Sequence, residues 1–255
     1  MPLRNQTDDR PGTASADVVA ARAVLRHDLG LGPDDRLVAA LPADYVRRYS
    51  ALSAAAHRRG ALTEIDRELV QLAVAAAIQV DDHAAVHLHA RRALAAGATP
   101  EQVLATRVET LGTHTMSFAA PLVLEALAEA GRLSDAAGTG DAAEDRRIEA
   151  HLQHLRGHWN EAWRPMMRLD PEFLVATHEL LAPPPGVLDS KLRELIYVAL
   201  DVSTAHLYPN GTRSHLRNAL SLGASLDEIM EVLELTALVG YRSLIPLLTA
   251  VRETA

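Results

Sequence analysis

The 255-residue chain contains no cysteine. That excludes a disulfide framework, a thiolate nucleophile, a cysteine zinc site and any Cys-x-x-Cys redox chemistry. Aromatic residues are scarce at 4%, although 48% of the chain is hydrophobic, so the core has to be built from Ala, Leu and Val. Basic residues are outnumbered, 25 Lys plus Arg against 33 Asp plus Glu, and no basic stripe offers to replace counterions on a phosphate backbone. The apolar runs, such as Leu72 to Ile78, fall far short of the ~20 residues that cross a bilayer. The first ten residues, Met1-Pro2-Leu3-Arg4-Asn5-Gln6-Thr7-Asp8-Asp9-Arg10, lack the apolar core of a signal peptide. These absences lead to an expectation of a cytoplasmic protein with neither nucleic acid nor membrane as partner.

What the chain does contain is helical periodicity almost throughout, with strand-like alternation nearly missing. Helices are expected over 17–29, 43–59, 63–79, 82–96, 100–111 and 115–130. A second set is expected over 144–163, 171–181, 189–204, 212–222, 226–239 and 242–251. Gly60, Gly97, Gly112 and Gly131 fall where helices should stop, and Pro183-Pro184-Pro185-Gly186 reads as a loop. The two sets repeat each other. Arg67-Glu68-Leu69-Val70 returns as Arg193-Glu194-Leu195-Ile196. His89-Ala90-Arg91-Arg92-Ala93-Leu94 returns as His215-Leu216-Arg217-Asn218-Ala219-Leu220 at the same offset. The expected organisation is therefore all-α: a flexible start over 1–16, one repeat over 17–131, a small-residue linker over 132–143, and a second repeat over 144–255.

At these positions the sequence resembles the carboxymuconolactone decarboxylase and AhpD-like alkylhydroperoxidase superfamily. Its pattern, an Arg-Glu-Leu-Ile helix followed by a His-led helix and a Gly-Ala-Thr-x-Glu-Glu-Ile start, occurs twice. The last part reads Gly97-Ala98-Thr99-Pro100-Glu101-Gln102-Val103 and Gly223-Ala224-Ser225-Leu226-Asp227-Glu228-Ile229. The resemblance covers roughly 41–130 and 169–251. It implies two helical repeats packed together in one chain, homo-oligomeric assembly, and no cofactor. The peroxidase branches place Cys-x-x-Cys before the His, so peroxide reduction by that route is chemically closed to this chain. Glu to His spans 21 positions in each copy, about two more than the family pattern, so residues between the anchors do not match one to one.

By the resemblance, Glu68 and Glu194 each face a site beside the next helix's His89 or His215. A carboxylate and an imidazole meeting in an apolar pocket make a proton-transfer pair; the plainer reading of each Glu is a surface ion pair with Arg67, Arg193 or Lys191. In the second copy Pro209-Asn210-Gly211 reads as a turn, placing His206 and Tyr208 on a loop. Arg213 and Tyr208 there suit a carboxylate substrate, with His206 nearby. Asp201, in an otherwise apolar run, is expected to pair with Arg213. In the first copy His87 is the further candidate. His83 and His87 share a helix face and form the one metal alternative, a pair the second copy does not repeat. His151, His154 and His158 are expected to form a polar stripe on one helix, and Trp159 and Trp163 to pack that helix into a core or subunit contact. The resulting expectation is a lyase, a decarboxylase or isomerase of a small carboxylated or lactone-type acid. A non-catalytic ligand-binding or assembly module and a His-based metal enzyme are the alternatives.

Overall fold

The computed structural model describes residues 15–32, 37–77, 80, 82–109, 114–182 and 186–254. Residues 1–14 of the expected flexible start, Gly112 and Pro183-Pro184-Pro185 lie outside them. The described residues are helical with no strand. The first copy comprises α1 (Ala16–Leu29), α2 (Ala43–His57), α3 (Glu64–Ala76), α4 (His83–Ala95), α5 (Pro100–Glu109) and α6 (His114–Glu129). The second comprises α7 (Ala142–Arg156), α8 (Arg164–Leu169), α9 (Pro171–Leu181), α10 (Ser190–Val202), α11 (Pro209–Ser221), α12 (Leu226–Val239) and α13 (Leu244–Thr254). Helix starts recur 126 positions apart, as Ala16 and Ala142, Glu64 and Ser190, His83 and Pro209, Pro100 and Leu226 show.

The acidic excess is spent partly at helix starts. Asp82 accepts from the Ala85 amide, Asp141 from Ala143, Asp170 from Phe173, and Asp189 from Lys191 and Leu192. Ser225 and Glu228 close a reciprocal capping box on α12. Each carboxylate satisfies amides that have no partner inside the helix and sits at the positive end of its dipole. Across 132–143 the connection is packed. Ala136 is buried and its carbonyl accepts from Arg168, while Gly138, at φ +61°, lies against the Met167 carbonyl where a side chain would crowd it.

Two compact units result, and they are not the two sequence copies. One holds residues 1–63 and 225–255; the other holds 64–224. In the first, Val18, Ala21, Leu25, Leu29, Val46 and Tyr49 of α1 and α2 form a core joined by Tyr241 and Ile245 from the second copy. In the other, Ile148, Leu152, Trp163, Met166 and Leu174 are joined by Ala120 and Met116 of α6, from the first copy. Each copy's last helix thus packs on the other copy's first helices. The α3 and α10 helices are buried nearly all round, because apolar residues run from Leu69 to Ala76, interrupted by the half-buried Gln71, and from Leu195 to Leu200, with Tyr197 among them. The segment Leu226–Ala250 has the length and composition of a membrane span. Yet it is broken by a tight 3-10 turn at Gly240–Ser243, and it carries buried Glu231 and Arg242. Glu231 accepts from the Ala61 and Leu62 amides, and Arg242 donates to the Leu29 carbonyl. Those charges belong to a protein core.

Candidate active site

Both copies bring their acid and imidazole together. In the second, His215 Nδ1 lies 2.8 Å from Glu194 Oε2, and Asn218 Nδ2 donates to the same oxygen at 3.1 Å. In the first, His89 Nδ1 lies 2.7 Å from Glu68 Oε2. Glu194 is 2% exposed. Burial alone would lift its pKa, but the His215 hydrogen bond and charge, the nearby His158 and the Asn218 amide outweigh it, and the net shift is downward. An ionised Glu194 is acceptor only, so Nδ1 of His215 carries the proton and donates it. The other ring nitrogen, Nε2, is left with the basic lone pair.

That imidazole borders a cavity of about 710 Å³, and Glu194 stands behind it. The wall includes Arg156, His158, Trp159, Trp163, His178, Tyr197, Asp201, Tyr208 and Gly211, with Arg213 and Arg217 one turn apart on the exposed side of α11. Ser117 and Pro121 come from the first copy's α6. Tyr197 stacks on His215, with ring centroids 4.6 Å apart, and its hydroxyl accepts from Arg156, which also donates to the Leu181 carbonyl. The imidazole is thereby held on one side by a ring and at Nδ1 by a carboxylate.

Asp201, 1% exposed, is the second acid of the cavity. Its Oδ1 lies 3.5 Å from His206 Nε2 and its Oδ2 4.0 Å from His215 Nε2, so the partners are these histidines where Arg213 had been expected. Burial pushes its pKa up to about 7, against the pull of His215 and with a further push from Glu194. The carboxyl fits because Gly211 has no side chain. A Cβ there would overlap the carboxyl group and come within 2.5 Å of the Tyr208 ring. Between them Leu207 takes a left-handed φ of +49°, a conformation disfavoured for a bulky residue that persists only where surrounding contacts hold the chain in place. The Tyr208 amide also donates to the Asp201 carbonyl, fixing the loop to α10.

Pro209-Asn210-Gly211 is the first turn of α11 and not a separate turn, since proline at the first helical position surrenders only an amide that would have no partner. Tyr208 still sits on the preceding loop and lines the cavity, with its pKa raised by burial and by Asp201. His206 lies behind Asp201 and is not among the lining residues; Arg213 is exposed at the rim. In the first copy His87 is exposed, two positions from buried His89 and on another face of α4. His83 is exposed as well, and among the described residues no three His, Asp or Glu side chains converge as a metal would need. The expected histidine stripe is broken. Helix α7 ends at Arg156, Gly157 turns the chain at φ +81°, and His158 enters the cavity while His151 pairs with Glu179 at 2.9 Å. Trp159 and Trp163 follow that turn and line the cavity as an edge-to-face pair 5.4 Å apart.

The copies differ where it matters. At the offset of 126, Asp201 and Gly211 correspond to Ala75 and Ala85, Arg156 and His158 to Gly30 and Gly32, and Tyr197 to Gln71. The acid and the glycine that makes room for it are both replaced by alanine in the first copy, which keeps its Glu–His pair and, as Arg91, the counterpart of Arg217.

Fold and site together define an all-α protein of tandem repeats with a histidine-centred acid–base cavity. The family model for the carboxymuconolactone decarboxylase family matches residues 43–130 and 171–249, and the chain belongs to that family. It is also similar to a crystal structure from Burkholderia xenovorans LB400, described as a candidate gamma-carboxymuconolactone decarboxylase subunit. The identity is 30%, the TM-score 0.82, and the match covers 94% of this chain and 99% of that one. No curated protein matches the sequence.

Proposed function

We propose that the chain is a cofactor-independent lyase that decarboxylates, or isomerises, a small carboxylated or lactone-type organic acid, and that the second copy carries the reaction. The observation behind this reading is the Nε2 of His215. It is set at a cavity wall by a buried Glu194, and a second carboxyl group titrating at about 7 stands 4.0 Å away. In decarboxylation the bond from carbon to the carboxylate breaks and CO₂ leaves. The electron pair spreads into a neighbouring conjugated carbonyl or lactone, and one proton then arrives at carbon. Arg213 and Arg217 orient the acid, Tyr208 donates to the developing oxyanion, and the protonated Asp201 or the His215 imidazolium delivers the proton. Glu194 is a positioning residue: it fixes the tautomer and stabilises the imidazolium without touching substrate. The Burkholderia protein's description as a subunit favours self-assembly here too, which light scattering on the purified chain tests; a monomer would refute it.

The test is Glu194→Gln, which preserves shape and removes the charge. CO₂ release is measured from γ-carboxymuconolactone and a panel of carboxylated lactones and unsaturated keto acids. Turnover should fall about a hundredfold or more with KM little changed, as expected when an imidazole loses its orienting carboxylate. Wild-type turnover in a variant of unaltered helicity would refute the mechanism, and CO₂ release from none of these acids by the native chain would refute the reaction class.

A further inference from the structure

The cavity holds more recognition chemistry than proton transfer needs. Both tryptophans of a chain with only two, Trp159 and Trp163, line it. Against Trp163 lies His178, 2% exposed, with ring centroids 4.3 Å apart. Neither ring nitrogen of His178 has a hydrogen-bond partner among the described residues, although both are buried. Buried imidazole nitrogens without partners are costly, and a ligand that supplies one removes the cost. His158, whose ring centroid lies 5.7 Å from that of Trp163 and which feels the charges of Glu194 and His215, joins this wall to the acid–base group. About 710 Å³ is room for a drug-sized ligand and generous for a small aliphatic acid.

We infer that the substrate carries, besides its carboxylate, a planar aryl or conjugated ring bearing an uncharged hydroxyl, the ring lying against Trp159 and Trp163 and the hydroxyl hydrogen-bonding to His178. This rests on the reading of the cavity as the substrate site and narrows it to a ligand class. Planarity follows from the wall, since flat rings stack on indole faces and edges with geometry that saturated rings cannot match. The hydroxyl follows from the charge state. Burial, aided by the positive Arg156 and the proximity of His158, lowers the His178 pKa to about 4, so at neutral pH it offers one donor and one acceptor and no charge. A carboxylate would gain nothing there that Arg213 and Arg217 do not provide better.

The experiment is equilibrium titration of the full chain, reading tryptophan fluorescence excited at the red edge and confirming by calorimetry. The probes are benzoate, 3- and 4-hydroxybenzoate, and cyclohexanecarboxylate. Because both tryptophans face the cavity, ligand on the wall should perturb all of the emission. Benzoate should bind more tightly than cyclohexanecarboxylate, and at least one hydroxybenzoate roughly five- to tenfold more tightly than benzoate, the worth of one hydrogen bond to a buried group. His178→Phe should erase the hydroxyl preference while leaving benzoate affinity within twofold. Equal affinity for the saturated acid, no gain from either hydroxyl, a preference that survives His178→Phe, or no binding at millimolar probe would each overturn the inference. If His178→Phe does not fold, the native ligand ladder decides alone. His215→Gln should keep the ladder. A ladder without CO₂ release from any acid removes the proposed reaction and leaves this inference standing; turnover without the ladder does the reverse.

Discussion

Replacing Asp201 by Asn should remove one carboxyl's share of the coupling between stability and pH. In the folded chain burial raises this carboxyl from its ordinary 3.8 to about 7. A raised acid pKa means the folded state holds a proton that the unfolded chain has lost. The stabilisation from that protonated form is therefore complete below pH 3.8 and lost as pH climbs through 7. At about 1.4 kcal/mol per pH unit, the interval corresponds to about 4 kcal/mol. Asn has the same shape, hydrogen-bonds like the neutral acid and never ionises. Urea unfolding of both proteins at intervals from pH 4 to pH 8 gives the difference directly, and groups common to both cancel. The native chain should lose about 4 kcal/mol relative to Asp201→Asn across that range, ending as the less stable of the two at pH 8 while remaining the active one. Parallel curves would show that the carboxyl ionises normally and would refute both its burial and its role as a proton donor near neutrality.

Other substitutions follow from the same geometry. Gly211→Ala should destabilise by roughly 1–3 kcal/mol by overpacking and should abolish turnover, because the new methyl displaces the Asp201 carboxyl. The double variant Gly211→Ala with Asp201→Ala, which copies Ala85 and Ala75 of the first repeat, should recover in denaturant melts the part of the stability lost to the carboxyl clash, the Tyr208 ring remaining in the way, but not the activity; a double variant as unstable as the single would contradict the carboxyl clash. Arg213→Gln and Arg217→Gln should raise KM roughly tenfold or more for a carboxylate substrate with a smaller change in kcat, the loss of a charge-assisted hydrogen bond, and the effect should shrink at high salt. An unchanged KM in both would remove them from substrate binding.

The duplication and the helices were legible in the sequence because a single offset relates two long apolar patterns, and tertiary packing had little propensity to override. The two Glu–His pairs were legible too, as residues repeated at identical spacing. The remainder of the cavity was hidden for local reasons. Helical periodicity carries the expected helix through Gly157 to Trp163 and puts His158, Trp159 and Trp163 on its face, although a glycine after Arg156 is a stop signal. The role of Asp201 turns on the empty space at Gly211, which is ten residues away and became visible only when the loop from Ser203 to Tyr208 folded back. His178 and Tyr197 had no pattern of their own. In a chain with 4% aromatics, though, the clustering of both tryptophans was itself a signal. The exchange of terminal helices between copies lies beyond any local pattern, since the same apolar faces would satisfy either partner.

The most direct measurement compares His215→Gln with His89→Gln, two equivalent substitutions in the two copies, on CO₂ release from the best acid substrate. The account predicts a loss of a hundredfold or more, about 3 kcal/mol of transition-state stabilisation, for His215→Gln, and activity within about threefold of native for His89→Gln. Equal losses would contradict a reaction confined to the second copy, and full activity in His215→Gln would contradict the mechanism itself.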